Sequence, residues 1–333
     1  MMRFHASRLT LGIATAALTL PLSLLLGRGT GVVGGEPGVP KNFITGAPGC
    51  NGAGSAAGCH GGFASIAVKL ALTAPTSVQK STRVPITFKV SGANSSSTRG
   101  GFAMEASAGT FVPGMGMRVG TGQFGRSSIT HTSSLSRSWT FALTAPSKTG
   151  IVELWALGNA VNGNGRSSGD QWGWYGPDPI VNGVPFRLFV NDDKVFPFGT
   201  SCSGTKGFKP VIGMPKNAAI GTSFQTEVHN IPPATATVGI LGLSNRTWGA
   251  IPLPLPLTGA GATGCSLSVS MDVLQPAVTT GAGAGGGVGK HTWSLPNVAA
   301  FRGINLFFQA MTIDKSANAL GLTFSEGLRA PIQ

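Results

Sequence analysis

The sequence predicts an all-β protein: two tandem β-sandwich, immunoglobulin-like domains behind an N-terminal export segment. Three observations carry that expectation. Charged residues make up only 11% of the 333, against about a quarter in an ordinary globular chain, so amphipathic helices would lack the Lys, Glu and Arg that clothe their outer faces. The 51 Gly and 22 Pro cut the chain into short pieces rich in Val, Thr, Ser and Phe, the composition of strands and turns. No helix-period run of useful length follows the N-terminal segment. At 41% hydrophobic the chain still buries a core, and its length suits about two domains.

Taken in order, Arg3 and Arg8 precede the apolar stretch 9–27, LTLGIATAALTLPLSLLLG. A positive region followed by a hydrophobic one is an export signal. Pro21 argues against a stable span, so residues 1–31 are read as a signal peptide, with an uncleaved anchor as the alternative. Residues 32–62 form a Gly/Pro-rich lead segment holding Cys50 and Cys59. The first sandwich is placed at 63–190, with strand-like runs at Ala64–Leu72, Arg83–Val90, Gly101–Ala106, Ser138–Leu143, Ile151–Leu157 and Val184–Val190. The densest charge in the chain, Asn191–Lys194, marks a linker at 191–197. The second sandwich, 198–333, has runs at Ser223–Val228, Val238–Leu243, Ser266–Met271, Lys290–Ser294, Gly303–Met311 and Leu320–Thr323. Pro252, Pro254 and Pro256 alternate with apolar residues, which suits an extended edge because Pro donates nothing to a ladder.

Lys+Arg 24 against Asp+Glu 11 gives a net charge of +13. The basic residues stand singly, from Arg83 and Lys89 to Arg329, with no adjacent pair. Nucleic-acid binders cluster them on one face, so no nucleic-acid partner is expected. A diffuse basic excess attracts anionic polysaccharide or membrane without a specific site. Four cysteines allow three pairings. Cys50 and Cys59 share one short loop, so the favoured set is Cys50 with Cys59 and Cys202 with Cys265, persisting in an oxidising compartment.

Two stretches carry a resemblance. TGAPG (Thr45–Gly49), CHGG (Cys59–Gly62), GGFAMEASAGTF (Gly100–Phe111), THT (Thr130–Thr132), SWTFALTAPSKTGIVELWALGNAVNGNG (Ser138–Gly165) and SGD (Ser168–Asp170) resemble the bacterial choice-of-anchor V domain, itself similar to the Reeler domain of secreted and cell-surface proteins. GTSCSG (Gly199–Gly204), GLSNRTWGAIPLPLPL (Gly242–Leu257), Gly264-Cys265 and ANALGLTFSEGL (Ala317–Leu328) are similar to a C-terminal β module of secreted planctomycete-type proteins. The resemblance implies an extracytoplasmic, non-enzymatic protein of adhesion or anchoring type. Choice-of-anchor V domains often carry C-x-x-C-H after TGAPG, the c-type haem attachment motif. Here Cys59-His60 is present, but Ala56 stands where the first thiol belongs and Cys50 is nine residues upstream. Haem on Cys59 and His60, with His131 as second axial ligand and Met104, Met115 or Met117 behind it, is therefore the alternative to a Cys50–Cys59 disulfide and no cofactor.

Other chemistry is weaker. Asn159, Asn162, Asn164 and Asp170 make an oxygen-rich Gly loop, but calcium wants more carboxylates, and Asn and Gly equally serve turns. The histidines show no metal-ligand spacing. Gly165–Gly169 fits G-x-S-x-G around Ser167 without the strand-to-helix setting a hydrolase needs. Gly281–Gly286 fits G-x-G-x-x-G with no βαβ unit around it. Trp139 and Trp155 read as core, and Trp248, Trp293 and Phe307-Phe308 as structural. Trp172, Trp174 and Tyr175 lie in a Gly/Pro-rich loop, QWGWYGPDP, and offer contact area for a ligand. With Asn162, Asn164 and Asp170 they are the expected contact surface for a cell-surface or matrix component of polysaccharide type.

Overall fold

The computed structural model describes residues 64–121, 125–166, 168–180 and 184–333. Among them, up to Asn191, the strands are β1 (Val68–Thr73), β2 (Ser77–Gln79), β3 (Arg83–Gly92), β4 (Gly100–Ala106), β5 (Thr110–Val112), β6 (Met117–Thr121), β7 (Ser127–His131), β8 (Ser138–Thr144), β9 (Gly150–Ala160), β10 (Gln171–Trp174) and β11 (Phe186–Asn191). One sheet runs β1-β3-β8-β5, and the other β2-β11-β9-β4-β7-β6 with β10 on β9. Strand β3 shows why the chain pleats here. Val84, Ile86, Phe88 and Val90 are buried, while Arg83, Pro85 and Lys89 between them are exposed, the period-two pattern of a half-buried strand. Phe102 of β4 reaches across from the second sheet, its ring 5.4 Å from Phe88, 4.7 Å from Trp139 and 5.7 Å from Phe141. The two sheets thus share one core.

From Phe196 onward come β12 (Phe196–Phe198), β13 (Val211–Gly213), β14 (Ser223–Ile231), β15 (Ala236–Gly242), β16 (Thr247–Trp248), β17 (Ile251–Pro252), β18 (Leu255–Pro256), β19 (Ser266–Leu267), β20 (Val273–Val278), β21 (Gly287–Ser294), β22 (Asn305–Ile313), β23 (Leu322–Phe324) and β24 (Gly327–Pro331). The main sheet is β12-β24-β22-β15-β20 with β23 on β22. It is joined by a β13-β14-β21 sheet and two short pairs, β16-β17 and β18-β19. Phe224 and Trp293 of the smaller sheet pack on Phe308 of the larger. A second cluster gathers Ile240, Val269, Phe307 and Phe324 around the Cys202–Cys265 disulfide. That bridge closes 63 residues, which in the chain-entropy picture is worth about 4 kcal/mol.

The protein is all-β, and among the described residues no ladder joins a strand before Asn191 to one after Phe196. Several details differ from expectation. The run Ser266–Met271 pairs only over Ser266–Leu267, and the alternating prolines form the two short pairs rather than one edge. Strand β20 carries Pro276 opposite Val238, and as the last strand of its sheet it needs no donor on its free side.

The expected linker at 191–197 is a fastened joint. Asn191 and Val195 are fully buried. Asn191 Nδ2 donates to Ser77 Oγ at 2.6 Å and to the Val78 carbonyl at 2.9 Å, and its Oδ1 accepts from Met214 N at 2.8 Å. One side chain therefore satisfies backbone groups of both halves. Lys80 pairs with Asp192 beside it. Asp192 and Asp193 of NDDK both pair with Lys80, and Asn217 donates to Asp193, so the charge here marks a connection rather than a solvated tether.

Candidate functional site

Across the joint, Phe189 of β11 lies on Gly213 of β13; a Cβ at Gly213 would fall 1.9 Å from the ring. Arg187 spans the same seam, its Nε on Glu153 Oε1 at 3.0 Å, its Nη1 on Asn230 Oδ1 at 3.1 Å and on the Gly285 carbonyl at 3.0 Å. Beside these contacts the two halves leave a cleft of about 580 Å³, inside the range of about 300–1,000 Å³ for small-ligand sites. Leu72, Thr76, Tyr175 and Phe186 come from the first half, and Phe198, Ser201, Lys206, Phe208, Lys209 and Glu326 from the second.

Glu326 is 3% exposed. Its Oε2 accepts from Thr76 Oγ1 at 2.8 Å and is hydrogen-bonded to Ser201 Oγ. Ser201 Oγ lies 2.6 Å from the Pro210 carbonyl and accepts from Glu326 N at 2.8 Å. A hydroxyl has one proton to give. The Pro210 carbonyl and the Glu326 carboxyl therefore compete for the Ser201 proton. Burial pushes the Glu326 carboxyl up from its ordinary value, partly offset by hydrogen bonds from Ser201 and Thr76. Burial and the hydrogen bonds thus pull Glu326 in opposite directions, with burial the larger effect. The disulfide holds this arrangement together, because Cys202 follows Ser201 and its amide donates to the Phe324 carbonyl at 3.1 Å.

The rim is built by a tight turn. Lys206 sits in the left-handed region at φ 58° between Thr205 and Gly207, a conformation that side chains of this size seldom adopt. Asp314 pins the turn through Thr205 N at 2.8 Å and the Thr205 hydroxyl. Lys206 and Lys209 are exposed. Burial raises the Tyr175 phenol to about 12, so it stays protonated.

The expected contact residues scatter. Trp172 and Trp174 are on strand β10, 3% and 4% exposed, their rings edge to face at 5.7 Å. They pack with Ala103 and Leu157. Two residues apart, they leave the same face of a strand, so alternation buries both. This corrects the expectation of an open aromatic loop. Tyr175 turns the other way, its ring 6.4 Å from Phe186, and alone of the three lines the cleft. The Asn loop bonds to itself. Asn162 Oδ1 accepts from Asn164 N at 3.0 Å, Asn164 Oδ1 from Arg166 N at 2.8 Å, and Asp170 Oδ1 from Asn162 N at 3.0 Å. The first two are Asx turns, in which a side-chain oxygen accepts from the amide two residues on, and the third is a longer reach from Asp170 back to Asn162.

His131 lies in the β7 core, 5% exposed, where the Phe102 amide donates to Nδ1 at 3.0 Å. A Cβ at Gly101 would lie 2.5 Å from its ring. Met104 is buried, Met117 packs against the same core, and Met115 is almost wholly exposed. Cys50, Cys59, His60 and Ser167 lie outside the described residues, as does the N-terminal apolar stretch. Among the described residues, no helix is long and apolar enough to cross a membrane.

Sequence reasoning passed over Thr76, Ser201, Lys206, Lys209 and Glu326. The one available signal was Glu326 itself, among the 11 acidic residues of a basic chain and flanked by Leu322, Phe324, Leu328 and Ala330. No family model matches this chain, and no curated protein matches it either.

Proposed function

We propose that this is an exported, non-enzymatic binding protein of the cell surface or extracellular matrix, and that it holds its partner in the cleft between its two halves. The observation that carries this reading is the joint construction of the cleft. Half-buried rings from both halves and two exposed lysines of the second converge on one concavity, and such concavities are where partners are held. Three further features support it. The Cys202–Cys265 bridge suits an oxidising compartment, residues 1–31 read as an export segment, and residues 45–170 resemble the choice-of-anchor V and Reeler-like domains of surface proteins. An immunoglobulin-like assignment of both halves belongs to the same reading.

The test fills the cleft without disturbing the core. Thr200 lines it and is exposed, so Thr200→Trp is expected to abolish co-sedimentation of the full chain with isolated bacterial wall material while leaving thermal unfolding unchanged. Undiminished co-sedimentation of that variant would remove the cleft from consideration.

A further inference from the structure

Resting on that reading, we propose that the cleft takes a short anionic oligosaccharide, its sugar faces against the rings and its acidic groups on Lys206 and Lys209. The lining offers ring surface from Tyr175, Phe186, Phe198 and Phe208, interleaved with the small polar groups of Thr73, Thr76, Thr200 and Asn230. Flat, weakly polar C–H faces with hydroxyls at their edges match that alternation. A purely apolar ligand would strand the hydroxyls, and a free inorganic anion would leave the rings unused.

Charge supplies the second half of the argument. Lys206 and Lys209 stand three residues apart at one rim, and among the described residues neither makes a salt bridge. Glu326, the one acid in the described lining, is 3% exposed, and its Oε2 is taken up by Thr76 and Ser201. The described lining thus presents two exposed cations and one sealed carboxyl, within a chain of net charge +13, and an anion is drawn to it over about a Debye length. The left-handed backbone at Lys206 belongs to the same feature. A glycine or asparagine would fit the turn with less strain, yet a long cation occupies it and Asp314 clamps it.

Isothermal titration of the full chain with a linear hexuronate hexamer, a neutral glucose hexamer and a glutamate hexapeptide tests the proposal. The hexuronate is expected to bind at least tenfold more tightly than either comparator. Lys206→Gln with Lys209→Gln should lower that affinity at least tenfold with unchanged thermal unfolding, and Lys206→Arg with Lys209→Arg should restore it. Lys89→Gln with Lys148→Gln, at exposed positions away from the cleft, should change it less than twofold. An equal loss in that control pair would reduce the effect to net charge and overturn the site. Equal binding of the glutamate peptide would overturn the ligand class. If the hexuronate fails while Thr200→Trp still abolishes wall binding, the ligand class falls and the cleft stands as the binding site.

Discussion

The Asn-rich turn at 161–170 and the seam around Asn191 and Glu326 use the same side-chain chemistry to opposite ends. In the turn, each amide or carboxyl oxygen caps a backbone N–H no more than eight residues away, and of the three accepting residues only Asp170 is buried. At the seam, Asn191 and Glu326 reach 114 and 250 residues along the chain, to Ser77 and Thr76, and both are buried. A local turn can lose a partner to solvent. A buried seam cannot, because each orphaned group there carries a desolvation penalty of about 1–3 kcal/mol. Polar residues are thus cheap and conspicuous in the turn, and costly and inconspicuous at the joint.

The sharpest way to break that contrast is at Asn191. Asn191→Ala removes three hydrogen bonds and leaves the Met214 amide and the Val78 carbonyl facing an apolar gap. We expect a loss of about 3 kcal/mol in denaturant unfolding. A loss below about 1 kcal/mol would mean that water enters the joint and that the two halves are not fastened there.

The next effect is a pH slope at Glu326. Burial raises its folded value above the unfolded one, so the folded state holds this proton more tightly. Its contribution to stability is complete below the unfolded value of about 4.3. It is lost as pH climbs from there through the raised folded value, by up to about 1.4 kcal/mol per unit. Glu326→Gln keeps the shape without the titrating proton, and its amide has two protons to offer the Ser201 and Thr76 hydroxyls. That variant is expected to stay within about 1 kcal/mol of the parent at pH 4 and to be the more stable of the two at pH 9. Parallel stability curves for the two proteins would place the proton on Ser201 and charge on Glu326.

Most of the fold was legible because strands announce themselves locally. The alternation in Arg83–Val90 and the β-branched and aromatic runs Ser138–Leu143 and Ile151–Leu157 need no distant information, and they are β3, β8 and the middle of β9. Strand β2 was not legible. Three residues, Ser77–Gln79, have no period to read, and they are a strand only because β11 arrives parallel beside them from more than 100 residues away. Strand β10 was hidden by its composition, since Gly173 between two tryptophans reads as loop until Gly158 of β9 is placed opposite it. The site failed for the same reason as β2. Nothing in Ser325-Glu326-Gly327 says that the carboxyl will be sealed against Thr76, and an isolated Glu is normally exposed.

The smallest expected effect lies in the turn the sequence singled out. Asn164→Ala gives up the acceptor for the Arg166 amide and the donor to the Ser168 carbonyl, but both groups are exposed and water replaces it. Its stability loss should be under about 1 kcal/mol, and its wall binding should match the parent. A large loss of binding with little loss of stability would return the contact surface to this turn and count against the cleft. A large loss of stability would show that Asn162, Asn164 and Asp170 act as one cooperative unit, so that the turn resembles the seam more than its exposure suggests.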